Sequence, residues 1–308
     1  MRYNHYMDII GYMANSVNKK SMRGARMNMK KAISIWSFKG KTTRQAIDLA
    51  KEAGYDGIEL ALDEKGEVNL ESTKEELLAI KEYAKKSDIV IHSVATGLYW
   101  TYSLTSDDEK ERNKALAIAE KQIETAKILG ATSVLIVAGG VGVDFVPGWK
   151  TVRYDIVYER ALEAMNRLKK IAEKHKIDIG VENVGNKFLL SPLEMRNFID
   201  AIDSPYVGTY LDVGNVLYTM GYPEHWIEIL GKRIKKVHFK DYRRAAGGLH
   251  GFVDLLSGDV DWAAVMKAFK NAGYNGWVTA EMLPPYEQHS EQILFNTSLA
   301  MNRIIGKK

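Results

Sequence analysis

A strand-like run followed by a helix-like run repeats eight times after Lys31, and this alternation is what most constrains the fold. Each strand-like run is short, apolar throughout and bounded by turn residues, and each helix-like run is amphipathic. One repeat takes ~35 residues, which is the size of a strand–helix unit in a (β/α)₈ barrel. The predicted strands are residues 32–38, 57–62, 89–94, 133–138, 179–182, 207–213, 234–239 and 276–282.

The continuous apolar character of these runs favours parallel strands that are buried on both faces. We therefore predict an α/β fold, a single-domain TIM barrel over residues 31–308. A doubly wound open sheet is the alternative. It fits less well because no Gly-x-Gly-x-x-Gly follows the first strand, and because polar residues collect at strand ends all round.

Residues 1–30 have a different composition from the rest of the chain. Residues 1–31 carry seven Lys or Arg and one acidic residue, whereas the remainder has a net charge of −2. The segment lacks the apolar core of a signal peptide. We expect a short basic N-terminal extension, poorly ordered or preceding a later translation start at Met29. The near-neutral body argues against a nucleic-acid partner.

Composition also limits the cellular location and the kinds of site that the chain could contain. No run approaches 18 apolar residues, so no membrane span is expected. The chain has no cysteine, which excludes disulfides and thiolate metal sites and fits a cytoplasmic location. Barrels of this type often associate, so a homo-oligomer is an open expectation.

Four polar residues end the last four predicted strands. They are Glu182, Asp212, His238 and Glu281. In a TIM barrel the active site lies at the carboxyl ends of the strands, and three converging carboxylates repel one another unless a cation lies among them. Oxygen ligands with one imidazole suit Mn²⁺, Co²⁺, Mg²⁺ or Zn²⁺. Each residue alone is better explained as a solvated loop residue, but the four together predict a divalent-metal site.

Five segments resemble the xylose-isomerase-like TIM-barrel superfamily, from about residue 30 to 305. They are VENVGNKF at 181–188, LDVGN at 211–215, VHFKD at 237–241, GDVDW at 258–262 and WVTAE at 277–281. They look most like the branch that contains L-ribulose- and L-xylulose-5-phosphate 3-epimerases and hexulose-6-phosphate isomerases. The resemblance implies that Glu182, Asp212, His238 and Glu281 bind the metal, and that Glu182 and Glu281 are also the acid–base pair.

Such a site predicts a divalent-metal-dependent isomerase or 3-epimerase of a ketose, with a pentulose or hexulose phosphate as the substrate. Two carboxylates would transfer the proton through a metal-stabilised enediolate. Return of the proton to the opposite face of the same carbon inverts that carbon, whereas return to the neighbouring carbon interconverts aldose and ketose.

Two departures from the free-ketose 3-epimerases bear on the substrate. Those relatives carry a Glu six residues after the first ligand, where this chain has Phe188, and a His where it has Asn215. Arg244 resembles the family's substrate-contacting arginine. Lys240, Arg243 and Arg244 crowd the loop after the seventh strand, and with Lys187 they would suit a phosphate, although a solvated basic loop explains each one as well. The predicted substrate-binding residues are Arg244, Asn215, Lys187, Lys240, His92, Glu59 and Trp36.

Glu59 and His92 would either contact the substrate or brace the metal ligands, and His92 fits a core histidine equally well. A free-ketose 3-epimerase and an inosose dehydratase or isomerase remain open as alternative activities, as does a non-catalytic sugar-binding barrel. An endonuclease-IV-like DNA-repair nuclease is a remote alternative. That activity resembles one that uses a three-zinc site with several more histidine ligands, and one of them would stand where this chain has Asn215.

Overall fold

The structure, a computed structural model, describes residues 27–307. Its strands are β1 (Lys30–Ser34), β2 (Gly57–Ala61), β3 (Val90–Ala95), β4 (Ser133–Ile136), β5 (Asp178–Glu182), β6 (Val207–Asp212), β7 (Ile234–Phe239), β8 (Asp241–Tyr242), β9 (Phe252–Val253) and β10 (Trp277–Ala280). Eight of them form a closed barrel in the order β1-β10-β7-β6-β5-β4-β3-β2, and all neighbours are parallel. The predicted TIM barrel is confirmed.

Helices connect the barrel strands. They are α1 (Thr43–Glu52), α2 (Lys74–Lys86), α3 (Glu109–Leu129), α4 (Tyr154–His175), α5 (Pro192–Ile202), α6 (Val213–Tyr218), α7 (Pro223–Leu230), α8 (Trp262–Ala272) and α9 (Gln292–Ile305). Several of their starts follow from local sequence. Thr42 and Thr73 form capping boxes with Gln45 and Glu76. The Ser191 hydroxyl caps α5 in a related way, by accepting a hydrogen bond from Glu194 N–H.

Three details differ from the sequence prediction. β1 ends at Ser34, and residues 35–37 form a 3₁₀ turn that contains Trp36. β10 ends at Ala280, so Glu281 lies one residue beyond the strand. Helix α6 begins directly after Asp212, because the Asp212 carboxylate accepts from Asn215 N–H and turns the chain from strand into helix.

The two short strands β8 and β9 form an antiparallel ribbon in the loop after β7. Asp241 organises this loop as a buried acceptor. Its carboxylate accepts hydrogen bonds from Leu256 N–H, Val260 N–H and Trp262 Nε1–H. The loop between β7 and α8 is therefore fixed at the edge of the barrel mouth.

Polar side chains occupy part of the barrel interior. Tyr210 is fully buried there, and Gly180 on the neighbouring strand makes room for it. A Cβ at Gly180 would lie only 2.8 Å from Tyr210 Cβ. The phenol can therefore cross the barrel interior and reach Glu59 on the far wall, with 2.6 Å between the Tyr210 hydroxyl and Glu59 Oε2.

Within residues 27–307, no helix has the length and apolarity needed to cross a bilayer. The predicted N-terminal extension falls almost entirely on residues 1–26, which lie outside the described residues. The division into an extension and one domain stays a prediction.

Candidate metal centre and active site

Four side chains converge at the carboxyl-terminal mouth of the barrel. Glu182 ends β5, Asp212 ends β6, His238 lies near the end of β7, and Glu281 follows β10. One ligand atom from each lies within 4.8 Å of the others, and all four residues are buried. The register explains the convergence in part, since Asp212 pairs directly with His238 across the β6–β7 ladder.

The imidazole of His238 is held from the barrel interior by the carboxylate of Glu59, which is not one of the four converging residues. His238 Nε2 lies 2.9 Å from Glu59 Oε1, and Glu59 itself accepts the hydrogen bond from Tyr210. His238 Nδ1 consequently points to the mouth, where it lies 3.5 Å from Glu182 Oε1, 3.8 Å from Asp212 Oδ2 and 3.6 Å from Glu281 Oε2. Carboxylate–histidine pairs of this kind orient metal ligands in many proteins.

These residues fit a divalent cation. His238 Nδ1 is buried and has no hydrogen-bond partner among residues 27–307. It faces oxygens from three different carboxylates, which is the donor set that a borderline or hard divalent ion prefers. A divalent cation among these atoms would satisfy the nitrogen and the three carboxylates together.

Burial and mutual repulsion perturb the carboxylates. Burial, with the nearby Glu281 charge, raises the pKa of Glu182 to about 7. Burial also raises the pKa of Asp212, against the opposing charges of Lys240 and His238. Burial alone would lower the pKa of His238, but the Glu59 and Glu281 charges outweigh it and raise that pKa well above its usual value. The site thus has a strongly negative potential that favours bound positive charge.

Lys240 provides one positive charge within this cluster. Its Nζ lies 3.1 Å from Asp212 Oδ2 and forms an ion pair with Glu281 Oε2. Burial would lower the pKa of Lys240, but the three surrounding carboxylates raise it. Gly214 permits this position, because a Cβ there would lie 2.5 Å from Lys240 Cβ. Lys240 was predicted to contact the substrate, and here it contacts two of the predicted metal ligands.

The other predicted substrate-binding residues are spread over the barrel. Glu59 is fully buried beneath His238, which matches the bracing alternative. His92 is buried within the barrel, bonded to Thr279 Oγ1 and stacked on Trp277. Trp36 is half-buried in the turn after β1. Each contact with a substrate stays a prediction.

The basic residues at the mouth all have protein partners. Lys187 pairs with Asp144 at 2.5 Å on the surface. Arg244 donates to Gly221 O and stacks over the Tyr222 ring, and Arg243 donates to Ser257 O. A phosphate would have to replace or extend these contacts.

Phe188 and Asn215 were the two departures from the free-ketose enzymes. Phe188 is buried and packs against Tyr154, Tyr158 and Phe198. Asn215 is also buried, and its side-chain amide donates to Asn183 O.

Sequence reasoning missed Tyr210 altogether. The direction of the Tyr210 side chain was predictable. Tyr210 lies two residues before Asp212 on the same strand, so both side chains are on the inward face. The partner that it reaches, Glu59, is 151 residues away along the chain, and no local pattern indicates that contact.

The fold and the site together define a TIM barrel with a buried carboxylate–histidine centre at its mouth. The sequence profile of the xylose isomerase-like TIM-barrel family matches residues 47–298. The chain belongs to this family, which confirms the resemblance seen in the sequence.

Individual relatives are consistent with that membership. L-ribulose-5-phosphate 3-epimerase UlaE of Escherichia coli O157:H7 (strain EC4115 / EHEC) is 24% identical over 253 residues, which cover 79% of this chain and 83% of that protein. The crystal structure of D-psicose 3-epimerase with D-tagatose from Clostridium cellulolyticum H10 superimposes with a TM-score of 0.75 at 18% identity, covering 89% of this chain and 98% of the other. These two relatives are isomerase-class enzymes, in agreement with the predicted enzyme class.

A third similar structure is the IOLI protein with a bound zinc atom, at a TM-score of 0.74 and 18% identity, covering 91% of this chain and 99% of the other. At these identities the solved structures establish the shared fold.

Proposed function

We propose that the chain is a divalent-metal-dependent 3-epimerase or isomerase of a ketose phosphate, with Glu182 and Glu281 as the proton-transferring pair. The observation that carries this proposal is the convergence of three carboxylates and His238 Nδ1 within 4.8 Å at the barrel mouth. The name of the relative UlaE, an L-ribulose-5-phosphate 3-epimerase, supports a pentulose phosphate.

The two proposed acid–base residues lie at opposite ends of the ligand arc. Glu182 ends β5 and Glu281 follows β10, with β6 and β7 between them in the barrel. A ketose bound between the two carboxylates presents one face to each. Glu182 and Glu281 can then remove a proton from one face of the carbon beside the carbonyl and return one to the other face. General acid–base transfer of this kind contributes ~10²–10⁴-fold to the rate.

The cation would be held by Glu182, Asp212, His238 and Glu281. When bound, it supplies Lewis acidity that polarises the sugar carbonyl and acidifies the adjacent C–H bond. Glu59 keeps the His238 ring in place, with Nδ1 directed at the mouth. We propose Mn²⁺, Co²⁺, Mg²⁺ or Zn²⁺, because oxygen donors with a single imidazole suit all four.

The phosphate of the substrate would interact with the basic residues around the mouth. Arg244 and Lys187 are the best placed by sequence, on the loops after β7 and β5. Both now contact groups that a phosphate could replace, a carbonyl oxygen and an exposed carboxylate. The free-ketose 3-epimerase remains the alternative because all these basic groups have partners within the protein.

The test is a panel of pentulose and hexulose phosphates assayed beside the corresponding free sugars in deuterated water. We expect deuterium to enter at C3, or at C1 for an aldose–ketose isomerase, faster with the phosphates. Chelation should abolish this exchange, and Mn²⁺, Co²⁺ or Mg²⁺ should restore it. Full activity after complete metal removal would overturn the proposal, and faster turnover of free sugars would favour the alternative substrate.

The acid–base assignment has its own test. Glu182→Gln and Glu281→Gln should each lower kcat by ~10²–10⁴-fold. Glu287→Gln is the matched control, since Glu287 lies six residues after Glu281 and its side chain is 88% exposed in a surface ion pair. Unchanged kcat in both site variants would contradict the assignment.

A further inference from the structure

The ends of β5 and β6 are joined by a side-chain amide where the backbone ladder stops. The last paired residues of the two strands are Glu182 and Tyr210. Beyond them, Asp212 N–H donates to Asn183 Oδ1 at 2.8 Å, and Asn183 Nδ2 donates to Asp212 O at 2.9 Å. The Asn183 side chain therefore takes the place of a peptide group and extends the pairing by one step.

A second asparagine closes the same network. Asn215 Nδ2 donates to Asn183 O at 3.0 Å, and Asn215 N–H donates to Asp212 Oδ1 at 2.8 Å. Asp212 is thus bound through its backbone on one side and through one carboxylate oxygen on the other. Its second oxygen, Oδ2, is the one that faces His238 and Lys240.

The network is isolated from water, which makes its hydrogen bonds costly to break. Asn183 is 5% exposed, Asn215 is 2% exposed and Asp212 is fully buried. A buried donor or acceptor that loses its partner is destabilising, because nothing replaces the lost hydrogen bond. The two strands cannot slide or separate at their ends without breaking several of these bonds together.

Two of the four proposed metal ligands are fixed by this arrangement. Glu182 directly precedes Asn183 in the chain, and Asp212 is bonded to both asparagines. On its other side Asp212 pairs with His238 in the β6–β7 ladder. The amides therefore set where the carboxylates of β5 and β6 lie relative to the imidazole of β7.

We infer that Asn183 and Asn215 are positioning residues that fix the spacing of Glu182 and Asp212 for the metal. The inference rests on the proposed metal-dependent function, and it gives Asn215 a role different from the predicted contact with substrate. Partners of metal ligands typically contribute 10–100-fold to metal affinity.

The experiment compares Asn183→Ala, Asn215→Ala and the double variant with the wild-type protein. Metal affinity is measured by Mn²⁺ titration, and ligand geometry by the visible absorption spectrum of the Co²⁺-loaded protein. Circular dichroism and thermal unfolding report folding. Asn186→Ala is the matched control, because Asn186 is a buried amide of the same loop whose side chain donates to Gly139 O and accepts from Phe188 N–H, outside the network around Asp212.

We expect Asn183→Ala to lower Mn²⁺ affinity by about 10–100-fold and to alter the Co²⁺ spectrum. Asn215→Ala should produce a smaller change of the same kind, because the bond from its backbone N–H to Asp212 remains. The loss of Mn²⁺ affinity in the double variant should be smaller than the product of the two single fold-losses, since the two residues act in one network. Asn186→Ala should retain the wild-type affinity and spectrum even if its unfolding temperature falls.

Wild-type affinity and an unaltered spectrum in both Asn183→Ala and Asn215→Ala would overturn the inference. Equal spectral changes in Asn186→Ala would overturn it too, because they would indicate a general loosening of the loop. Should Asn183→Ala not fold, Asn215→Ala alone decides by the same criteria. A wild-type protein that binds neither Mn²⁺ nor Co²⁺ would instead overturn the proposed function.

Discussion

Two histidines are buried inside the same barrel, and they differ almost only in their surroundings. In both, Nε2 has a partner, Glu59 for His238 and the Thr279 hydroxyl for His92. In both, Nδ1 lacks a hydrogen-bond partner among the described residues. His238 Nδ1 faces three carboxylates at the mouth, whereas the His92 ring stacks on Trp277 at 4.7 Å deeper in the barrel.

The pKa of each ring reflects that difference. Carboxylates raise the pKa of His238 in spite of its burial. Burial lowers the pKa of His92 far below its usual value, and the nearby Lys236 and His238 charges add to the effect. Burial alone therefore does not distinguish His238, a proposed metal ligand, from His92. The neighbouring charges distinguish the two rings, and the following variants test this contrast in decreasing order of the expected effect on metal affinity.

Replacing each histidine by glutamine should separate the two roles most clearly. His238→Gln removes a proposed ligand and should weaken Mn²⁺ binding by more than ~100-fold, the upper end of what loss of an outer partner costs. His92→Gln should leave Mn²⁺ affinity close to that of the wild type. Mn²⁺ titration followed by electron paramagnetic resonance measures both. Equal losses in the two variants would erase the contrast.

Substitutions of the residues that bond Nε2 of each ring, Glu59 and Thr279, should differ in their effect on Mn²⁺ affinity in the same way. Glu59→Gln keeps a hydrogen-bonding group beside His238 but removes the charge that orients it, so Mn²⁺ affinity should fall by about 10–100-fold. Thr279→Val removes the partner of His92 with little change of shape and is the control. Calorimetric titration with Mn²⁺ decides. Unchanged affinity in Glu59→Gln would mean that Glu59 does not act through His238.

Lys240→Met should change Mn²⁺ affinity in the opposite direction. Removing a positive charge that lies 3.1 Å from Asp212 Oδ2 makes the site more negative, so Mn²⁺ affinity should rise about tenfold. Lys235→Met is the control, since Lys235 lies on β7, the strand that precedes Lys240, but pairs with Asp178 at 2.9 Å. A weaker affinity in Lys240→Met would indicate that Lys240 instead holds the carboxylates in place.

The last comparison concerns the stability of the fold rather than metal affinity, and it involves His92 and pH. An unfolded histidine titrates near pH ~6.5, whereas burial depresses the pKa of folded His92. Below pH ~6.5 the unfolded state therefore binds a proton that the folded state refuses, and stability falls by up to about 1.4 kcal/mol per pH unit. Urea unfolding at pH 5 and pH 7 should show a smaller loss in His92→Gln. An identical loss in both proteins would contradict the neutral state of His92.

The four-residue centre was predictable because a parallel barrel brings all strand ends to one rim. Glu182, Asp212 and His238 needed only the correct strand boundaries. Glu281 was found although its strand ends one residue earlier, since an error of one residue at a strand end still leaves the side chain at the mouth. The assignment of these residues as ligands remains a prediction.

The contacts beneath and beside the centre were predictable only in part, since bracing by Glu59 was one of two alternatives and its partner could not be named. The ladder between β2 and β3 shifts register at Glu59, so the facing of its side chain could not be deduced from simple alternation. The loop after β5 is a second case. Lys187 and Leu189 have positive φ values of 56° and 53°, which non-glycine residues rarely adopt. That turn directs Phe188 into the aromatic cluster, away from the mouth.

Glu59 also connects the two halves of the barrel. All four proposed ligands come from the last four barrel strands, while Glu59 belongs to β2 and reaches His238 across the interior. A chimaera that combines the second half of this barrel with the first half of a relative would inherit all four proposed ligands. The His238 ring of such a chimaera would lack its carboxylate partner unless the new first half supplied an acid at the position of Glu59 on β2. Modular exchange of half-barrels in this family therefore has to be matched at β2.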